Sequence, residues 1–121
     1  MSQSNNDKSS TWDKAVQLTT LDTSIAAGTP VACNDHYTEY ISTTLLSSDR
    51  VLVCYRNYTN NCLYSLVLTI SGTSITVGTP VACNSHSSDY ISTTLLSSDR
   101  VLVCYRNNTN SYYLYSLVIT G

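Results

Sequence analysis

Two Cys-x-x-His spacings, Cys33 to His36 and Cys83 to His86, are the first candidates for chemistry, because thiolate and imidazole are common ligands of a structural zinc ion. A closed tetrahedral site needs four converging ligands, and the two pairs belong to separate repeat units, so no metal is expected. Glu39 and Asp89 are conceivable as a carboxylate pair for glycoside hydrolysis, but they are equivalent positions in polar connections whose neighbours imply no apolar pocket. Nucleophilic catalysis needs Ser or Cys beside a base held by a third group, and neither histidine has a recognisable partner. The expectation is a protein that is no enzyme and carries no cofactor.

What remains suits polar recognition. His36, Tyr37, Glu39, Tyr40, Arg56 and Asn57 cluster around two connections of one unit. His86, Asp89, Tyr90, Arg106 and Asn107 are their counterparts in the next. Tyrosine supplies stacking faces, and arginine and asparagine supply fixed donors, a combination that fits a carbohydrate or a polar protein surface. The plainer alternative is that Arg56 pairs with Asp or Glu across the gap between units and Tyr40 packs at a strand start.

The elements that must position these residues follow from a repeat. YISTTLLSSDRVLVCYRN occurs unchanged at 40–57 and 90–107, a period of 50 residues. Such a period marks supersecondary units that bury their apolar faces against one another. Within a unit the pattern reads as four strands: A (Ile41 to Ser47), B (Val51 to Arg56), C (Leu63 to Ile70) and D (Thr73 to Cys83). Turns are expected at Ser48-Asp49 and Ser71-Gly72, glycine supplying the positive φ of a tight hairpin. Pro30 and Pro80 cannot donate to a ladder and belong at an edge or a bulge. Val51, Val53 and Tyr55 alternate with Leu52 and Cys54, so strand B is apolar on both faces and belongs between layers. Cys54 and Cys104 are then small buried hydrophobes.

A four-strand meander of about 50 residues is the layout of a β-propeller blade, and the fold class expected is all-β, with two four-stranded antiparallel blades per chain. A β-sandwich would share the strand spacing. Residues 1–13 read as a polar lead and 14–121 as the tandem domain, with copies at about 23–72 and 73–121. The chain opens with a C-like stretch from Lys14 and a D-like strand at Thr23 to Cys33, and ends after a third strand at Gly121. The last blade thus lacks its own strand D, and two blades cannot close a ring, so closure by oligomerisation is expected, a trimer first. In this assembly mode, over about residues 23–120, the chain resembles the small oligomeric sugar-binding lectins of bacteria and fungi. The resemblance implies a ring of blades but no site residue, because the repeats contain neither the tryptophan of those lectins nor a sialidase-type Asp-box.

The D-to-A and B-to-C connections should emerge at one end of the blades. Aligning 23–60 with 73–110, the copies differ at seven of 38 positions, and five of these fall in the two connections: 35, 37, 38, 39 and 58. Variation there over a fixed scaffold is how binding faces are built, although loops also drift where nothing packs on them. Partners of other classes are not expected. With Lys+Arg 6, Asp+Glu 8 and net charge −2 there is no basic stripe for nucleic acid and no polybasic membrane anchor. No apolar run approaches the roughly 20 residues of a membrane span. The opening residues lack the apolar core of a signal peptide, so the cytoplasm is the default location and five cysteines in an odd set are expected reduced.

Overall fold

Alternating valine, leucine and tyrosine over Arg50–Asn57 fit a pleated surface better than a helix. In a computed structural model, which describes residues 24–121, that segment is the second of eight strands, and no helix occurs among the described residues. They are β1 (Thr38–Ser47), β2 (Arg50–Asn57), β3 (Cys62–Ser71), β4 (Ser74–Val77), β5 (Val81–Ala82), β6 (Ser88–Ser97), β7 (Arg100–Asn107) and β8 (Tyr113–Thr120). All pairing is antiparallel. The first sheet runs β1-β2-β3-β4 with β5 also on β3, and the second runs β6-β7-β8. The lead, Trp12 and the strand expected from Lys14 lie outside the described residues.

Local chemistry accounts for the turns and for two departures from expectation. Gly72 takes φ +60° in the two-residue turn between β3 and β4, as a hairpin with glycine at its first central position requires. Strand D is broken in two. Gly78 brings its backbone against Val67, donating N–H to the Val67 carbonyl at 2.8 Å, and Pro80 cannot donate, so pairing with β3 lapses between β4 and β5. The D-like strand expected over Thr23–Cys33 is not present: residues 24–33 carry no strand. A strand needs a ladder partner, and the C-like stretch that would supply one falls outside the described residues.

Each sheet has two apolar faces set by register. On the first sheet Val51, Val53, Tyr55, Leu66 and Leu68 share the front, and Leu52, Cys54, Leu63, Ser65 and Val67 share the back. The back of the first sheet packs on the front of the second, forming one core of Leu52, Cys54 and Leu63 against Ile91, Val101, Val103 and Tyr105. Hydroxyls stitch the inner strands together: Ser42 Oγ lies 2.9 Å from Thr93 Oγ1, which donates to the Thr43 carbonyl at 3.2 Å. Identical sequences therefore have opposite burial. In β2 the back residues Leu52 and Cys54 are buried and Val51 and Val53 half-buried; in β7 Val101 and Val103 are buried and Leu102 and Cys104 half-buried. Burial pushes the Cys54 thiol up to about 12, which marks it as an inert packing residue.

Candidate functional site

The connections leading into β1 and out of β2 meet at one end of the first sheet, where the Tyr58 N–H donates to the Tyr37 carbonyl at 2.9 Å. The same contact recurs in the second sheet between Asn108 N–H and the Ser87 carbonyl, also 2.9 Å. At the opposite end the Ile70 N–H reaches the Asp49 carbonyl at 2.8 Å, so Ser48 and Asp49 share an end with the β3–β4 turn.

At the first of these ends, each copy carries the same bulge. Register slips between Glu39 and Ser42 and between Asp89 and Ser92, and the extra residue, Tyr40 or Tyr90, has φ +53° or +49°. A bulky side chain in the left-handed region is strained by about 1–3 kcal/mol, and a bulge re-aims the side chain it carries. Here it turns the two rings toward each other across the gap between sheets, centroids 4.9 Å apart. Desolvation, with the Tyr90 phenol beside it, holds the Tyr40 hydroxyl above its ordinary pKa.

Asp89 anchors this ring pair. Arg106 donates Nε and Nη2 to its two oxygens at 2.9 Å each, and Asn108 Nδ2 donates at 3.0 Å. Arg56 of the first sheet reaches across the gap, its Nη1 3.9 Å from Asp89 Oδ2, while its Nε lies 3.8 Å from Glu39, its cross-strand neighbour in β1. Asp89 is 3 % exposed, and its carboxylate survives burial because these donors surround it. The bond to Asp89 in turn raises the Arg106 guanidinium pKa above its ordinary value. The Arg106 guanidinium lies between the rings of Tyr90 and Tyr112, at 4.7 and 5.0 Å, and Arg56 lies more loosely between Tyr40 and Tyr58, at 5.9 and 6.0 Å. The result is a comb of tyrosine rings locked by two arginines, with Tyr37, Tyr58, Tyr90, Tyr112 and Tyr113 exposed.

The expected site residues divide accordingly. Tyr37, Glu39, Tyr40, Arg56, Asp89, Tyr90 and Arg106 are brought together. Asn57 and Asn107 are buried turn residues, their side-chain oxygens accepting from the N–H groups of Thr59 at 3.1 Å and Thr109 at 2.9 Å. His86 turns inward to Tyr105 Oη at 2.9 Å. His36 turns outward beside Asp35, 3.5 Å away. Among the described residues no three His, Cys, Asp or Glu side chains converge as for a metal ion. The plainer expectation for Arg56, a carboxylate partner across the gap, is met by Asp89 at 3.9 Å, while Glu39 at 3.8 Å is its cross-strand neighbour in the same sheet. Tyr112 and Asn108 join the site beyond the expected set; Tyr112 lies in the one-residue lengthening of the second connection, NSYYLY against NNCLY, which was visible in the sequence.

Two copy differences prove to be one. Tyr37 packs tilted against Tyr58 with centroids 4.7 Å apart, and the second copy replaces both, Asn108 Nδ2 donating to Ser87 Oγ at 3.4 Å. Comparison with known protein families, curated proteins and solved structures returns no match.

Proposed function

We propose that the chain is a non-enzymatic binding module of β-propeller type, two blades to a chain, which closes by self-assembly and recognises a carbohydrate at its tyrosine end. The observation that carries the reading is the comb: five exposed tyrosines at one end, of which Tyr90 sits on a strained bulge, Tyr90 and Tyr112 flank the Arg106 that Asp89 pins, Tyr58 flanks Arg56 and Tyr37 packs on Tyr58. Rigid aromatic faces flanked by polar donors suit the C–H faces and hydroxyls of a sugar, bound shallowly and reversibly. The stacking of two meander sheets with β1 and β6 side by side supports the blade assignment. The test is retention on a broad panel of immobilised glycans and release by free sugar. Tyr58→Ala with Tyr112→Ala should abolish retention at unchanged oligomer mass, while Ser48→Ala with Ser98→Ala, on the other end, changes nothing. A panel with no retention overturns the carbohydrate reading.

A second reading, a self-assembling repeat with no ligand, draws on one specific observation. The polar groups expected to meet a sugar are occupied internally: both arginines by carboxylates, Asn57 and Asn107 by their own turns.

A further inference from the structure

The described residues leave two large faces open, and each is the counterpart of a face already covered among them. Ile91 on the front of the second sheet is 9 % exposed, whereas Ile41 on the front of the first is 63 % exposed. Leu63 on the back of the first sheet is fully buried, whereas Leu114, its counterpart on the back of the second, is 78 % exposed. The open front therefore has the shape and chemistry of the surface that the open back was built to receive.

From this we infer that a second copy of the chain covers these faces head to tail, placing its second sheet on the front of this chain's first sheet and taking residues 24–33 as that sheet's fourth strand. The inference rests on the assembly part of the function proposed above and specifies its interface.

Four features support the donated strand. The segment into β1 has the turn of the segment into β6: Asn34 Nδ2 donates to Thr38 Oγ1 at 2.8 Å and Asn84 Nδ2 to Ser88 Oγ at 2.9 Å. Residues 24–33 therefore leave β1 as β4 and β5 leave β6, directed at a sheet stacked on the front of the first. Val31 and Cys33 accordingly line a cavity of about 410 Å³ with Val53 and Leu66, on the side of the first sheet away from β8. Their own chain's β8 is thus screened from them by the first sheet, which makes the acceptor a second chain. Among the described residues that acceptor is open: β8 pairs with β7 alone, and a wedge of about 520 Å³ between Val67 and Val81 on one side and Leu117 and Ile119 on the other marks where the fourth strand would lie.

Transferring the first sheet's register fixes the pairing. β3 pairs Tyr64 with Ala82, Ser65 with Val81 and Leu68 with Val77, so β8 should pair Tyr115 with Ala32, Ser116 with Val31 and Ile119 with Ala27 of the second copy. Ile25, now 97 % exposed, then joins the front of the completed sheet beside the wedge. Tyr55 adds a separate sign. Its hydroxyl is buried without a partner, while that of Tyr105 has His86, so the first sheet's front is one contact short of the finished one. Because donor and acceptor surfaces are different, the contact is heterologous and closes into a ring or propagates as a filament.

In the complete first sheet Ser65 Oγ lies 3.2 Å from Cys83 Sγ, so a cysteine at the equivalent Ser116 should meet Cys33 of the neighbour. Cys104 lies opposite Ser116 in the register, so it is replaced first: mild oxidation of Ser116→Cys with Cys104→Ser should give reducible, covalently linked chains in a ladder ending at the native oligomer number, lost on adding Cys33→Ser. Ser65→Cys with Cys54→Ser, which removes the cysteine opposite it, should instead link to Cys83 within one chain and serve as the geometric control. A Ser116→Cys bond confined to one chain, or no bond while the control forms, overturns strand donation. If the wild-type chain is nevertheless oligomeric by light scattering, the assembly reading stands without it; a monomeric wild-type chain overturns both.

Discussion

Leu63 and Leu114 sit at the same place in their sheets, opposite Arg56 and Arg106, and the difference in their burial makes Leu114→Ala a direct probe of association. Leu63→Ala hollows an interface within the chain and should cost about 2–5 kcal/mol of folding stability. Leu114→Ala removes atoms that face solvent in the isolated chain, so its folding stability in dilute solution should move by no more than about 0.5 kcal/mol. Once a second copy covers the back of the second sheet, Leu114 takes the setting of Leu63. Three heavy atoms at about 0.8 kcal/mol each, scaled by the 78 % of the residue still to be covered, give about 2 kcal/mol per contact. That is a roughly thirtyfold weaker association constant. Sedimentation of wild type and variant over a dilution series reads the shift, and urea unfolding of the dilute chain reads folding. Equal dissociation curves would refute the reasoning, and so would a destabilised dilute monomer.

Two further outcomes follow from the interior and the tyrosine end. The Cys54 thiol is held at about 12 by burial, above its ordinary value of 9.0, so the folded chain keeps a proton that the unfolded chain releases. Stability due to this group is complete below pH 9 and falls as pH rises toward 12, by about 1.4 kcal/mol per pH unit. The pH dependence of urea unfolding between these values should be shallower in Cys54→Ala, and an unchanged slope contradicts the assignment. For Tyr37 and Tyr58, each single change to the second copy's residue, Tyr37→Ser or Tyr58→Asn, should lose an aromatic contact, and the double variant should recover part of it through the new hydrogen bond. A double-mutant cycle should give a coupling of about 0.5–1.5 kcal/mol; additive costs would show that the ring contact carries nothing.

The 50-residue period, the limits of strands A to C within a few residues and the Gly72 turn were legible because each rests on local spacing or on one residue's backbone freedom. The burial of strand B on both faces was expected, but Val51 and Val53 in one copy, and Leu102 and Cys104 in the other, are only half-buried. The meeting of the two connections at one end followed from the meander order alone. Less was legible at the site. Nothing in the sequence marks Tyr40 and Tyr90 as left-handed bulge residues, because that conformation usually announces itself as glycine or asparagine. Asp89 as the hub of two arginines depends on how close the sheets stack, a distance that spacing along the chain does not encode. Asn57 and Asn107 read as ligand donors from type alone, and only the turns that follow them show where their oxygens point. The absence of a strand over residues 24–33 has a similar origin, since strand formation there depends on a partner and not on the segment's own composition.

The claim that a second copy covers the faces left open by the opposite burial of identical strands stands or falls with the native mass of the wild-type chain. Light scattering at micromolar concentration should give a discrete multiple of 13.3 kDa, with a trimer the first expectation because its sheets fall within the roughly four to eight of a closed ring. A compact monomer that keeps Leu114, Ile41 and Ile25 in water would contradict it.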